Sequence, residues 1–218
     1  MVSHFTLKFI RGLATAATVL GLAGSVWALP QAQFLALVEQ FQQARQGNNA
    51  AIDQSAEGLV ALLAAEPTHP VLMAYAGAAT ALRATTTWLP WKKMHYAEDG
   101  LAMNDKALAL LMPAHSAVLP GNTPATLEVR FVVANTFLAV PGFMNRNARG
   151  AKLLTEVLAS PLLGQSPLGF QGAVWLRAAQ WAQAEKRPND ARQYLLEVIK
   201  HKAPQADLAQ AQLKALAS

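Results

Sequence analysis

The chain has 218 residues, of which 53% are hydrophobic and 14% are charged, and it contains no cysteine. The apolar content excludes a disordered chain, and the absence of cysteine excludes a disulfide scaffold, a thiolate zinc site and an iron–sulfur protein. Lysine and arginine outnumber aspartate and glutamate by 18 to 13, but no basic run is longer than Lys92-Lys93. Because nucleic-acid binders usually concentrate their basic residues, nucleic acid is not expected as a partner.

Residues 1–28 have the three-part pattern of a secretory signal peptide. Lys8 and Arg11 lie in it without any acidic residue, residues 12–27 are uncharged, and Val26 and Ala28 place short side chains where a signal peptidase needs them. We therefore expect residues 29–218 to form one mature domain in the periplasm of a Gram-negative bacterium. Export also accounts for the missing cysteine, because an unpaired thiol is a liability in an oxidising compartment.

Two alternatives remain open for the same segment, namely an uncleaved membrane anchor and a buried N-terminal helix. Residues 12–29 number 18, at the short limit for crossing a bilayer core of ~30 Å. Gly21 and Gly24 weaken this stretch as a permanent span. A membrane contact is expected only through this segment, if it stays uncleaved.

The remainder of the chain predicts an all-α fold. Alternating strand patterns are missing, and alanine, leucine and glutamine dominate, which favours helices over strands. Turn residues at regular intervals predict nine helices, over residues 31–46, 50–65, 70–89, 91–112, 123–139, 145–159, 169–185, 188–201 and 204–217. Their short connections predict antiparallel neighbours, so the units are helix hairpins.

Helix starts carry their own signals. Asn49 is predicted to cap the second helix, and Thr123 to cap the fifth helix with Pro124 at its first position. Pro70 is expected to open the third helix, where its missing N–H costs nothing.

Large and small packing residues recur in the C-terminal hairpin, at offsets of 3, 4, 7, 16 and 20 from Trp175. These residues are Ala178, Ala179, Ala182, Ala191 and Leu195. If Pro67 is the closing proline of one repeat, the next repeat begins at Pro70. Gly77 is then its eighth residue, where such a repeat has a small side chain, and this predicts a second unit. The chain thus resembles tetratricopeptide (TPR) repeat proteins, which implies antiparallel helix hairpins stacked as a TPR-like α-solenoid.

The segment Trp91-Lys92-Lys93, with Tyr96, Glu98 and Gly100 after it, is similar to a group of exported bacterial TPR-like proteins of unassigned activity. The TPR resemblance also implies a peptide groove along the first helix of each hairpin. The positions that would line it are mostly apolar or small: Val71, Ala74, Ala78, Ala81, Leu82, Ala173, Leu176, Gln180, Gln183 and Ala184. The carboxylate clamp of the best-known subgroup is therefore absent, so the groove either receives an apolar helix or peptide or is filled by other helices of this chain.

The most unusual segment surrounds Pro90. Its candidate partner-binding residues are Trp88, Trp91, Lys92, Lys93 and Tyr96. One interpretation is a rim of aromatic and basic groups that grips a partner, because such residues are enriched in interface anchors. The other interpretation is that the two indoles pack an extended hairpin onto its neighbour while the charges face water.

A second candidate group consists of Arg130, Phe143 and Arg146. Phe143 and Arg146 flank a Pro-Gly turn, and Arg130 lies on the preceding helix. The structural alternative is a basic helix start with ordinary surface arginines.

No residue pattern points to catalysis. His95, Glu98 and Asp99 share a helix face, but no second histidine-rich segment completes a metal site. Ser166 lies in a glycine-flanked loop that does not have the spacing of a nucleophile elbow, and no phosphate loop or dinucleotide fingerprint is found. We expect no enzymatic activity, no cofactor and no metal.

These observations predict an exported TPR-like binding or scaffold module that mediates protein–protein interaction in the bacterial envelope, with an envelope protein or peptide as partner. One alternative is an envelope hydrolase on an α-helical scaffold, with acidic groups or a His–acid pair near His95, Glu98 and Glu128. The other is a membrane-anchored subunit that keeps its N-terminal helix.

Overall fold

The computed structural model describes residues 31–118 and 122–216, and every regular element within these ranges is helical. The described part of the chain contains nine α-helices and four short 3₁₀ helices. The α-helices are α1 (Gln31–Arg45), α2 (Asn49–Ala65), α3 (Pro70–Leu82), α4 (Pro90–Ala109), α5 (Ala125–Phe137), α6 (Asn147–Ala159), α7 (Leu168–Ala184), α8 (Pro188–Lys200) and α9 (Ala206–Ala215). The prediction of an all-α chain is confirmed for these ranges. The predicted signal peptide, residues 1–28, lies outside them.

The two predicted helix caps are wrong by one position. Helix α2 begins at Asn49 itself, so Asn48 takes the cap position, and its side chain makes no capping hydrogen bond. Helix α5 begins after Pro124, which has extended backbone angles and occupies the cap position that Thr123 was expected to hold. A residue that has entered the helix, or that stands two places before it, cannot present its side chain to the free N–H groups of the first turn.

Helix α3 begins as predicted but ends earlier. Pro70 is its first residue, and the cap residue His69 accepts a hydrogen bond through Nδ1 from the backbone N–H of Leu72 at 3.2 Å. The helix ends at Leu82 rather than near residue 89. Beyond that point, the hydroxyl of Thr85 donates to the Leu82 carbonyl at 2.8 Å, which tightens the chain into a 3₁₀ turn.

Helices α3 and α4 meet at a seam of small residues. A methyl group added to Gly77 would lie 2.7 Å from the carbonyl oxygen of Gly100, and one added to Gly100 would lie 2.7 Å from the Cβ of Ala81. Beside them, the fully buried Asn104 donates from Nδ2 to the carbonyl of Ala74 at 3.2 Å. The two backbones can approach this closely only because both glycines lack a side chain.

The buried side chains of the described ranges form a large cluster from helices α1 to α7, a smaller one between α7, α8 and α9, and a third, of three residues, between α1 and α2. Five residues whose spacing suggested a repeat unit are completely buried in these clusters, namely Ala178, Ala179, Ala182, Ala191 and Leu195. Helix α3 is the most enclosed element, since all of residues 70–80 are buried. Among the described residues, no helix is both long and apolar enough to span a bilayer.

Candidate binding surfaces

An exposed group of aromatic, basic and apolar side chains, which we call the tryptophan patch, consists of Trp88, Trp91, Lys92, Lys93 and Met94. The side chains of Trp88 and Trp91 are 84% and 66% exposed. All six residues from 90 to 95 are exposed as well. Because an α-helix has 3.6 residues per turn, a helix lying against a neighbour buries at least one residue in four. The first turn and a half of α4 therefore projects away from the rest of the molecule.

Local sequence explains why the chain turns outward here. Pro90 occupies the first position of α4 and keeps the preceding Leu89 extended, with ψ at 115°. The hydroxyl of Thr87 accepts a hydrogen bond from the backbone N–H of Leu89 at 3.3 Å. This turn carries the two indoles into solvent, so they do not pack the hairpin onto its neighbour.

The tryptophan patch is electropositive. The first turn of α4 contains no acidic residue, and it contains Lys92 and Lys93. Both cations lie at the positive end of the helix dipole, where negative charge is the stabilising sign. An acidic group from outside the chain would therefore be favoured at this position.

Tyr96 belongs to the interior of the hairpin rather than to the tryptophan patch. The guanidinium of Arg83 lies 4.7 Å from the centre of the Tyr96 ring, and the Nε of Arg83 lies 2.8 Å from the carboxylate of Asp53. Tyr96 is half-buried in this arrangement. Its ring connects α4 through Arg83 to helix α2.

In the second candidate group, both arginines are engaged within the chain. Arg130 pairs with Glu156 at 3.7 Å, whereas Arg146 pairs with Asp105 at 2.9 Å. Phe143 is 69% exposed in the turn between α5 and α6. Each of the two arginines thus has a partner on another helix of the chain, and only Phe143 presents a free apolar face.

Three histidines in the described ranges contact neighbouring residues of their own helix or turn. His95 lies 3.3 Å from Asp99 and His201 lies 3.2 Å from Glu197, each one turn along its own helix. His115 accepts a hydrogen bond from the backbone of Met112 at 2.9 Å. No group of three histidine or acidic side chains in the described ranges could hold a metal ion.

Glu128 is held inside the fold. The hydroxyl of Tyr75 donates a hydrogen bond to Oε1 of Glu128 at 3.0 Å, which joins α3 to α5. Burial raises the pKa of Glu128 above its ordinary value, and burial together with the neighbouring carboxylate raises the pKa of Tyr75. Within the described ranges, no hydrogen bond or ion pair connects Glu128 to His95.

A cavity of about 180 Å³ opens between helices α1, α3, α5 and α7. Its wall is mainly apolar and includes Phe41, Leu82, Phe131 and Val140. Three of the predicted groove positions, Ala78, Ala81 and Leu82, lie in this wall. The other seven predicted groove positions do not line this cavity, so the peptide groove stays a prediction.

Two arginines face this cavity, Arg45 from α1 and Arg177 from α7. No acidic group in the described part of the chain lies within ion-pair distance of either. Burial lowers the pKa of both guanidinium groups, and the charge of Arg45 lowers the pKa of Arg177 further. Arg45 is exposed and Arg177 is half-buried, so solvent weakens the repulsion between the two charges, and both groups remain protonated at neutral pH.

One signal in the sequence could have revealed this cavity. Arg177 is the only charged residue in the 17 residues of α7. A lone cation in an otherwise uncharged, mostly apolar helix has to reach either solvent or an anion. Arg45 carried no such signal, because it lies in the last turn of α1, where a basic residue is commonplace.

Comparison with known proteins gives no assignment: no family model, curated protein or solved structure matches this chain.

Proposed function

We propose that the chain is a non-catalytic, exported helical-repeat module that binds a segment of another envelope protein. The observation that carries this proposal is the tryptophan patch. Two indoles held in solvent are costly unless they bind something, and tryptophan is among the residues most enriched at the energetic centres of protein interfaces. An envelope protein or peptide is the proposed partner.

The module is proposed to be a TPR-like stack of antiparallel helix hairpins. In favour of this, contacts within successive helix pairs run in reverse order: in α5 and α6, Phe137 lies beside Gly150 and Arg130 beside Glu156. Near the turn between α7 and α8, the guanidinium of Arg187, the cap residue of α8, lies 4.6 Å from the centre of the Trp181 ring in α7. Short turns between such pairs are typical of hairpin repeats.

The partner segment that fits the patch is apolar and acidic. The indoles of Trp88 and Trp91 and the side chain of Met94 offer apolar area, while Lys92 and Lys93 attract negative charge. A segment that combines aromatic or aliphatic side chains with aspartate or glutamate would satisfy both features, and charge complementarity would also speed its association.

The test is affinity capture from envelope extract with the wild-type protein and three variants. One variant carries Trp88→Ala with Trp91→Ala, and a second carries Lys92→Glu with Lys93→Glu. The matched control carries Leu196→Ala with Leu208→Ala, which removes two exposed leucines elsewhere on the surface. We expect the wild type and the control to retain one stoichiometric partner, and both patch variants to lose it.

The charge-reversal variant also tests the acidic character of the partner. If the segment is acidic, binding to the wild type weakens as salt rises, since exposed charges are screened beyond about 10 Å at 0.1 M salt. Retention of the partner by both patch variants would contradict the proposal, and so would recovery of no stoichiometric partner under any growth condition.

Export is proposed together with this role, and the N-terminus of the protein purified from its host decides it. A first residue of Leu29 would support cleavage of the signal peptide and a periplasmic location. A first residue of Met1 would favour the anchored alternative.

A further inference from the structure

The cavity between α1, α3, α5 and α7 lies apart from the tryptophan patch and has a different chemistry. Its wall combines apolar side chains with polar ones, among them the guanidinium groups of Arg45 and Arg177. A concave wall that offers both apolar area and hydrogen-bonding groups is suited to a small molecule.

The arginines of this cavity differ from most others in the described ranges. Five arginines have an acidic partner within 4.0 Å, namely Arg83, Arg130, Arg146, Arg149 and Arg187. Arg45 and Arg177 have long hydrogen bonds of 3.4 Å to Gln42 and Gln180 on their own helices, and the guanidinium of Arg45 also lies 5.9 Å from the centre of the Phe41 ring. Arg45 is exposed and Arg177 is half-buried, so the concavity carries positive charge that solvent screens at Arg45 more than at Arg177.

Unused hydrogen-bonding groups lie beside these charges. The Nε of Arg177 and the Oδ1 of Asn135 are buried and have no hydrogen-bond partner in the described part of the chain. A buried donor of a charged group that stays unpaired costs more free energy than a neutral one. Both atoms are closed off from the cavity as well as from bulk solvent, so an anionic oxygen or a hydroxyl of a ligand would reach them after the Arg177 and Asn135 side chains rotate toward it.

The size of the cavity limits what fits. Its volume is about 180 Å³, and a cavity of about 150 Å³ holds a benzene-sized molecule. An apolar body of a few carbon atoms with one carboxylate matches both this size and the lining by Phe41, Phe131 and Val140. Inorganic anions match the charge but leave the apolar wall unused.

We propose that this cavity binds a small organic carboxylate, with its carboxylate between Arg45 and Arg177 and its apolar body against the phenylalanine and valine side chains. The proposal is independent of the proposed protein-binding role, since it concerns other residues and another ligand. It gives the module a second, small-molecule site, lined by helices α1, α3, α5 and α7.

The test uses the full chain with butyrate and 3-hydroxybutyrate as probes, followed by thermal unfolding and by amide resonances of residues around the cavity. We expect both carboxylates to raise Tm in a saturable manner, because a ligand that binds only the folded state stabilises it. Butyramide, which has nearly the same shape but no charge, should leave Tm unchanged. Equal effects of butyramide and butyrate would overturn the role of the arginines.

Variants then locate the site. Arg177→Gln and Arg45→Gln should each weaken butyrate binding by about tenfold to hundredfold, the usual loss for a charged hydrogen bond. Arg192→Gln is the matched control, because Arg192 is exposed on α8 and does not line the cavity. Without ligand, the two cavity variants should melt at about the same temperature as the wild type, because neither arginine has an acidic partner within ion-pair distance in the described ranges. A lower Tm in both would mean that the arginines serve the fold, and would contradict the proposal.

Two further probes distinguish a small organic carboxylate from an inorganic anion and from a peptide. Inorganic phosphate that binds as tightly as butyrate would replace the organic carboxylate with a simple anion and overturn the proposal. A short peptide with a free carboxyl terminus that binds at least about a hundredfold more tightly than butyrate would assign the cavity to a protein partner instead and would overturn it as well.

Discussion

Helix α3 and the beginning of α4 are separated by seven residues and have opposite surroundings. In α3, all of residues 70–80 are buried, on every face of the helix. At the start of α4, all of residues 90–95 are exposed, including an indole. Residues 70–80 carry no charge, whereas residues 90–95 combine Trp91 and Met94 with two lysines, so a large apolar side chain by itself does not separate a residue that stabilises the fold from one that is available to a partner. The neighbouring helices make that distinction.

The largest expected difference between the two segments is in the effect of truncation. Leu72→Ala in α3 should lower the free energy of unfolding by about 2–5 kcal/mol, because Leu72 is completely buried and the cavity left behind cannot collapse fully. The exposed Leu196 on α8 is the matched control, and Leu196→Ala should change stability by no more than about 0.5 kcal/mol. Urea unfolding measures both. Similar losses for the two variants would mean that α3 is not the enclosed element described here.

The second prediction concerns His69 at the start of α3. Burial lowers the pKa of His69 to about 4, from an ordinary value of 6.5. Between pH 6.5 and 4 the unfolded chain binds a proton that the folded chain does not, so stability falls as the pH falls through this window. The loss attributable to His69 amounts to about 3 kcal/mol, and above pH 6.5 this group contributes no pH dependence.

His69→Asn isolates that contribution, because asparagine keeps a capping oxygen but does not titrate. Urea unfolding of both proteins from pH 4 to 8 should give a shallower pH dependence for the variant than for the wild type. Parallel curves would show that the imidazole titrates alike in the folded and unfolded chains.

The third prediction concerns the seam that connects the two segments. Gly100→Ala should destabilise the fold by about 1–3 kcal/mol, because the new methyl group would collide with the backbone of α3 at Gly77 and Ala81. This loss exceeds the gain of about 1 kcal/mol that alanine brings to a helix interior. Gly142→Ala is the control, since nothing lies within 4 Å of a methyl group there. A Gly100→Ala variant as stable as the control, in thermal unfolding, would mean that the helices can separate.

The smallest expected effect on stability belongs to the tryptophan patch. Trp91→Ala should change the free energy of unfolding by no more than about 0.5 kcal/mol, since the indole is 66% exposed. The same variant should weaken partner binding at least about thirtyfold if the indole is an anchor. A large loss of stability with unchanged binding would reverse the roles assigned to α3 and to the start of α4.

The positions of the helices could be predicted from the sequence because turn residues separate them. All nine predicted helices exist in the described ranges, with most ends within two residues of the prediction. The end of α3 could not be predicted, because it depends on whether the threonine hydroxyls around Thr85 donate hydrogen bonds to backbone carbonyls. The caps at Asn49 and Thr123 were misplaced for a similar reason, since a shift of one residue changes which side chain can reach the free N–H groups.

The candidate sites were harder to predict from the sequence than the helices. The composition around Pro90 singled out the tryptophan patch, but only packing decided that Trp88 and Trp91 face solvent while Tyr96 turns inward under Arg83. The cavity was harder still to predict. Arg45 and Arg177 are 132 positions apart, and no local pattern places them on one wall.

The glycine seam also determines how α4 presents its beginning. Pro90 lies ten positions before Gly100, so at a rise of about 1.5 Å per residue the helix extends roughly 15 Å from the seam to its tip. Because Gly100 packs directly against the backbone of α3, the direction of α4 relative to α3 is fixed. A partner would meet indoles already preorganised for contact, and it would lose little conformational entropy of this chain on binding.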